Sequence, residues 1–168
     1  MINNNEDIKP KGIKIIFDKL SKEEEIIKLL IKAKRSIKLC SYEFNSLPIT
    51  QVLKSKSGLE IQGIIWNSIS NDETRKIIET LEKIKVFKKN HDSSNLMHNK
   101  FIIIDDELLI TGSTNFTENC LYNNFNDILI IEDKVTIRRY IDYFNYLNKL
   151  ELYITESKSL VLSDDETS

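Results

Sequence analysis

Between Met97 and Thr117 the chain reads MHNKFIIIDDELLITGSTNFT, which sets His98, Lys100, Asp105, Gly112, Ser113 and Asn115 at short fixed offsets. These residue types suit attack on a phosphodiester. A neutral imidazole is nucleophilic enough to displace an alkoxide from phosphorus, giving a phosphohistidine that water later resolves. Lys100 would place a compact positive charge against the non-bridging oxygens. The Ser113 hydroxyl and Asn115 amide would add hydrogen bonds as charge builds there. Nothing in this set calls for a metal ion or an organic cofactor.

The local pattern says how these side chains meet. In an extended strand successive residues alternate faces, so His98 and Lys100 point to one side. The branched run FIII is a strand, Asp105-Asp106-Glu107 a hairpin turn, and LLIT the returning strand, which brings Gly112-Ser113 back toward His98. Ser113 and Asn115 also differ by two, and Gly112 lets the backbone approach a bound oxyanion closely. Asp105 has the opposite parity to His98 and reads as support for the turn or as a buried hydrogen-bond acceptor.

His98-x-Lys100, Asp105 after four residues, then Gly112-Ser113 and Asn115 together resemble the signature of the phospholipase D superfamily. The resemblance extends over about residues 12 to 150: RSIKLCSYEF and GLEIQGIIW resemble its early strands, NNFNDILIIED its closing strand, and the helix from Val135 to Leu150 its last helix. In size and layout the chain is similar to the small single-motif members, the bacterial Nuc-type endonucleases and the Zucchini-type nucleases. The resemblance implies a glutamate about eleven residues after Asn115, orienting the catalytic histidine. Here Asn126 stands at that position with Asp127 beside it, and either is a candidate for the role.

A histidine nucleophile also needs an acid for the leaving oxygen. The sequence holds one other histidine, His91, in the loop-like HDSSN and without a lysine partner. Single-motif relatives pair two histidines by dimerising, so the resemblance implies an isologous homodimer in which one His98 attacks and the second donates the proton.

At 168 residues the chain fits one domain, with a flexible lead over 1–11, a catalytic domain over 12–152 and an acidic tail over 153–168. Its net charge of -2 is accounted for by the last twelve residues, so the folded part is near neutral and offers no broad basic footprint for nucleic acid. A local patch lies in KIKVFKKNH, where Lys83, Lys85, Lys88, Lys89 and His91 form either a solvated strand edge or a phosphate guide. The sheet edge carrying Tyr42, Glu43 and Phe44, with Trp66, lines the groove. Tyr42 and Trp66 either stack on bases or pack as rim and core residues.

Cys40 and Cys120 are too few for a disulfide framework or a zinc site. With no apolar leader and no membrane-length stretch, the chain is expected to be cytoplasmic, without stable membrane anchoring.

Along the chain, IKIIF is a first strand and Ser21 with Glu24 a capping box for a helix to about Lys34. SIKLCSY is the next strand, and a short helix follows Pro48. LEIQGIIW is a buried strand, and Ser70 with Glu73 caps a helix holding Ile77, Ile78, Leu81 and Ile84. The final helix buries Ile137, Tyr140, Ile141, Phe144 and Leu147. This alternation predicts a single-domain α/β fold, an α/β/α sandwich with a mixed β-sheet. The expected function is a metal-independent endonuclease, with phospholipid hydrolysis or transfer and non-catalytic nucleic-acid binding as the alternatives.

Overall fold

The computed structural model describes residues 12–66, 69–86 and 97–164, with side chains through 149. Its elements run β1 (Ile13–Ile16), α1 (Ser21–Ile31), β2 (Ser36–Ser41), α2 (Leu47–Ser55), β3 (Glu60–Ile65), α3 (Asp72–Glu79), β4 (Ile84–Val86), β5 (Lys100–Ile104), β6 (Leu108–Gly112), α4 (Glu118–Tyr122), β7 (Ile128–Ile131) and α5 (Lys134–Asp164). The strands form one seven-stranded sheet in the order β1-β7-β6-β5-β2-β3-β4. β2, β3 and β4 are mutually parallel, whereas β5, β6, β7 and β1 join antiparallel, which makes the sheet mixed as expected.

Both faces of the sheet are covered. On one, Ile37, Leu39, Ile61, Ile65, Ile102 and Ile110 pack with Ile26 and Leu30 of α1, Ile49 and Leu53 of α2, and Ile78 of α3. On the other, Cys40, Ile64, Phe101, Ile103, Leu109 and Ile131 pack under Ile137 and Phe144 of α5, with Tyr140, Ile141 and Leu147 half-buried around them. The central strands are therefore apolar on both sides, which explains the unbroken FIII run of β5. Burying a Leu, Ile or Phe contributes about 1.5–3 kcal/mol, so these two clusters hold the frame on which the site is built.

Several local details depart from the sequence reading. The Ser21 box does not form: the Ser21 hydroxyl donates to Asp18, and Leu20 occupies the cap position without a side-chain bond. Helix α1 ends at Ile31 rather than near Lys34, because the backbone N–H groups of Lys34 and Arg35 are bound by the Asp105 carboxylate. The cap of α3 is Asn71, whose side chain accepts from Thr74 N at 2.9 Å, and Ser70 instead accepts from Asn45. That helix stops at Glu79, and Ile84 leaves it to open the edge strand β4. Helix α5 continues to Asp164, through the stretch read as a tail.

Candidate active site

Strand direction gathers the site at one end of the sheet. β5 starts there with Lys100, β6 ends there with Gly112, β7 starts just after Asp127, and β2 ends there at Ser41. Tyr42 N donates to Asn99 O at 3.1 Å, tying the end of β2 to the approach to β5. The β5–β6 hairpin is closed by Asp105 and Asp106 at φ 55° and 58°, a left-handed pair that aspartate tolerates and that matches the twist of the strands.

His98 and Lys100 meet as their spacing implies. Lys100 Nζ lies 3.0 Å from His98 Nδ1 and donates to the His98 carbonyl at 2.5 Å. Lys100 is only 8% exposed. Burial pushes its ammonium below the ordinary lysine range, against the opposing pull of Cys120 and Glu43.

Tyr42 packs its ring against the imidazole, centroids 4.6 Å apart, and lies 5.5 Å from Lys100 Nζ. Tyr42, read either as a base-stacking or as a rim residue, thus lies against the histidine. Trp66 packs against the core cluster beneath α5.

Ser113 and Asn115 follow β6 at this end but turn to different partners. The Ser113 hydroxyl donates to Asp127 Oδ1 at 2.6 Å and accepts from Asp127 N at 3.0 Å. Thr114 Oγ1 donates to Asp127 O at 2.9 Å. Gly112 sits at φ 147°, and a Cβ there would run into the Asp127 carbonyl oxygen, so this close approach of β6 to the start of β7 requires glycine. Asn115 instead faces Glu43, accepting from Glu43 N at 3.4 Å and donating to Glu43 Oε2 at 3.5 Å.

Neither candidate orienting residue bonds to His98. Asn126 donates to Cys120 O at 3.2 Å, and the Asp127 carboxylate is committed to Ser113. Asp105 lies a strand length from the histidine, at the tip of the hairpin. Its carboxylate accepts from the N–H groups of Lys34, Arg35 and Ser36 at 2.9, 2.6 and 2.9 Å. Lys88, Lys89 and His91 lie outside the described residues, whereas Lys85 donates to Asn148 of α5 at 3.1 Å.

For two residues near the site, sequence reasoning missed the partners. Lys22, in the first turn of α1, is fully buried, with Nζ 3.4 Å from Asn126 O and Asp127 nearby. Its pattern on the helix resembled that of a solvated lysine, and only packing reveals it. Glu43 is the other, and its position beside an aromatic strand end was the one available signal. Among the described residues, no cluster of three or more His, Cys, Asp or Glu could hold a metal ion, and no helix is long and apolar enough to cross a membrane.

A mixed sheet covered by helices on both faces, with a buried lysine on a histidine and a Gly-Ser-x-Asn strand end beside them, places the chain in the phospholipase D-like class. The family described as "Cardiolipin synthase, PLD-like domain" matches residues 26–148, and the chain belongs to it. It is 31% identical over 124 residues to the mitochondrial cardiolipin hydrolase of Xenopus tropicalis, covering 73% of this chain and 59% of that protein. The chain thus spans less than two thirds of that relative. Among solved structures, NucT from Helicobacter pylori superposes with TM-score 0.68 at 22% identity, covering 82% of this chain and 95% of that one. Nuc from Salmonella typhimurium, a phospholipase D family member, superposes at 0.66 with 19% identity, covering 80% and 91%. These two share the fold.

Proposed function

We propose that the protein is a metal-independent endonuclease that cleaves DNA or RNA through a phosphohistidine on His98, at a site completed by a second copy of the chain. The observation that supports this best is the contact between His98 Nδ1 and the buried Lys100 ammonium, 3.0 Å apart. A phosphate entering the site offers its non-bridging oxygens to Lys100, drawing the ammonium off the ring. A ring nitrogen then attacks phosphorus, and the bond to the leaving oxygen breaks as that oxygen takes a proton from His98 of the partner subunit. Water, giving its proton back to that imidazole, attacks phosphorus and breaks the P–N bond, which restores both histidines. Asn115 is placed to hydrogen-bond the phosphoryl oxygens, while Ser113 reaches them at the cost of sharing its hydroxyl with Asp127.

The fold shared with NucT and Nuc over more than nine tenths of each of those chains favours nucleic acid. Two free cysteines fit a reducing compartment such as the cytoplasm. Identity to a cardiolipin hydrolase favours phospholipid as the second reading.

The test is cleavage of fluorescent single- and double-stranded DNA and RNA in excess EDTA, wild type beside His98→Ala, with the oligomeric state measured by light scattering. The expected result is EDTA-resistant cutting by a dimer, lost in His98→Ala. Head-group release from phospholipid vesicles without nucleic-acid cutting reverses the ranking of substrates. Equal oligonucleotide binding by both proteins, with no turnover on either substrate, makes the chain a binding module.

A further inference from the structure

Family resemblance implies a carboxylate at position 126, but the chain has Asn126, turned to the Cys120 carbonyl. A carboxylate does lie against Asn115, on Glu43. Glu43 follows β2, and its place is fixed by backbone rather than by side-chain chance. Asn45 N and Ser46 N donate to Phe116 O at 3.0 and 3.1 Å, Phe44 bridges Phe116, and Ser41 Oγ donates to Glu43 O at 2.5 Å. These bonds hold residues 43–46 alongside 115–116. Glu43 consequently meets Asn115 through both its N–H and its carboxylate.

We propose that Glu43 is the positioning carboxylate of this site, locking the Asn115 amide and counterbalancing the buried charge of Lys100. The inference rests on the phosphodiesterase reading given above. Lys100 is faced by His98 from the approach to β5, by Tyr42 and Glu43 from beyond β2, and by Cys120 from α4. Among these, Glu43 is the carboxylate. Burial of Lys100 favours the uncharged amine, and a neutral amine neither attracts phosphate nor offsets the charge that develops on it. A nearby negative charge opposes that loss, at the price of some repulsion toward the incoming phosphate. Glu43 therefore acts on the reaction through Lys100 and Asn115, not by touching phosphorus.

Three substitutions in the full chain separate the two roles. Glu43→Gln keeps an acceptor for Asn115 but removes the charge, Glu43→Ala removes both, and Glu43→Asp keeps the charge. Cleavage of a fluorescent oligonucleotide in EDTA is followed from pH 6 to pH 10, a window chosen to contain a depressed lysine titration. For Glu43→Gln, kcat near neutrality should stay within about threefold of wild type, with the alkaline limb about one unit lower. Glu43→Ala should show the same displaced limb and a further loss of kcat of about tenfold. Glu43→Asp should restore the wild-type limb. The Lys100 ε-carbon, labelled with 13C and assigned by its loss in Lys100→Arg, should titrate with the same displacement in Glu43→Gln. A superimposable titration and limb in Glu43→Gln and wild type overturns the inference and leaves the phosphodiesterase reading standing. If wild type cleaves neither nucleic acid nor phospholipid, that reading fails, and the 13C titration still decides the role of Glu43.

Discussion

The Ser113 hydroxyl lies 2.6 Å from Asp127 Oδ1 and receives the Asp127 backbone N–H at 3.0 Å, a two-way clasp between the ends of β6 and β7. The carboxylate nearest position 126 is therefore spent on the serine, and His98 takes its neighbours from elsewhere, from Lys100 and Tyr42.

Asp127→Asn tests that division of labour. The amide oxygen still accepts from Ser113, so kcat should fall by no more than about threefold, whereas Asp127→Ala, which drops a hydrogen bond to a charged group, should cost about tenfold. A carboxylate orienting a catalytic imidazole behaves differently, since replacing it by an amide fixes the wrong tautomer and costs orders of magnitude. Steady-state cleavage by the two variants distinguishes these outcomes; a collapse in Asp127→Asn would reassign Asp127 to His98.

Tyr42 is expected to act through its ring rather than its hydroxyl, since its ring lies against the imidazole and near the Lys100 ammonium. Tyr42→Phe should keep cleavage within about twofold, and Tyr42→Leu should lower kcat about tenfold with less change in KM, as an aromatic contact of about 0.5–1.5 kcal/mol is lost. If Tyr42 served chiefly as a base-stacking platform, the loss in Tyr42→Leu would appear in KM instead.

Asp105 couples the fold to pH. Burial alone would raise its pKa, but the N–H bonds from Ser36, Arg35 and Lys34, with the Arg35 charge, together outweigh burial and hold the carboxyl below the usual aspartate range. A pKa depressed in the folded state gives stability that is present above the unfolded value, near 3.9, and is lost as pH falls through the folded value. Asp105→Asn tolerates the same left-handed backbone and should destabilise by about 1–3 kcal/mol at pH 7. The gap from wild type should close in strong acid. Because Asp105 stands at the far tip of the hairpin, kcat of the folded variant should be unchanged. Thermal unfolding at pH 7 and pH 2.5, beside single-turnover cleavage, checks both halves.

Much of the frame was legible before any coordinates. Alternation of apolar runs with amphipathic stretches followed from the need to bury one face of each helix and both faces of the central strands, and the β5–β6 hairpin followed from branched residues flanking three acidic ones. Caps were less legible. Ser21 and Ser70 looked suitable from spacing alone, but a cap forms only where the chain actually turns: Ser21 donates to Asp18 instead, and Asn71 holds the cap of α3. The end of α1 depended on Asp105, some seventy residues away in sequence, which captures the N–H groups a longer helix would have used.

The sequence alone places His98 and Lys100 together, because a two-residue offset at the mouth of a strand sets them on one side through local geometry. It also determined the hairpin that returns Gly112, Ser113 and Asn115 to the same end. Only the tertiary structure decided the company these residues keep. Ser113 paired with Asp127, Asn115 with Glu43, Tyr42 with the imidazole, and Lys22 was buried beneath the Asn126 carbonyl. Each of these pairings joins elements distant in the chain, and a side chain's partner across such a distance is set by sheet order and packing, which short-range patterns do not encode.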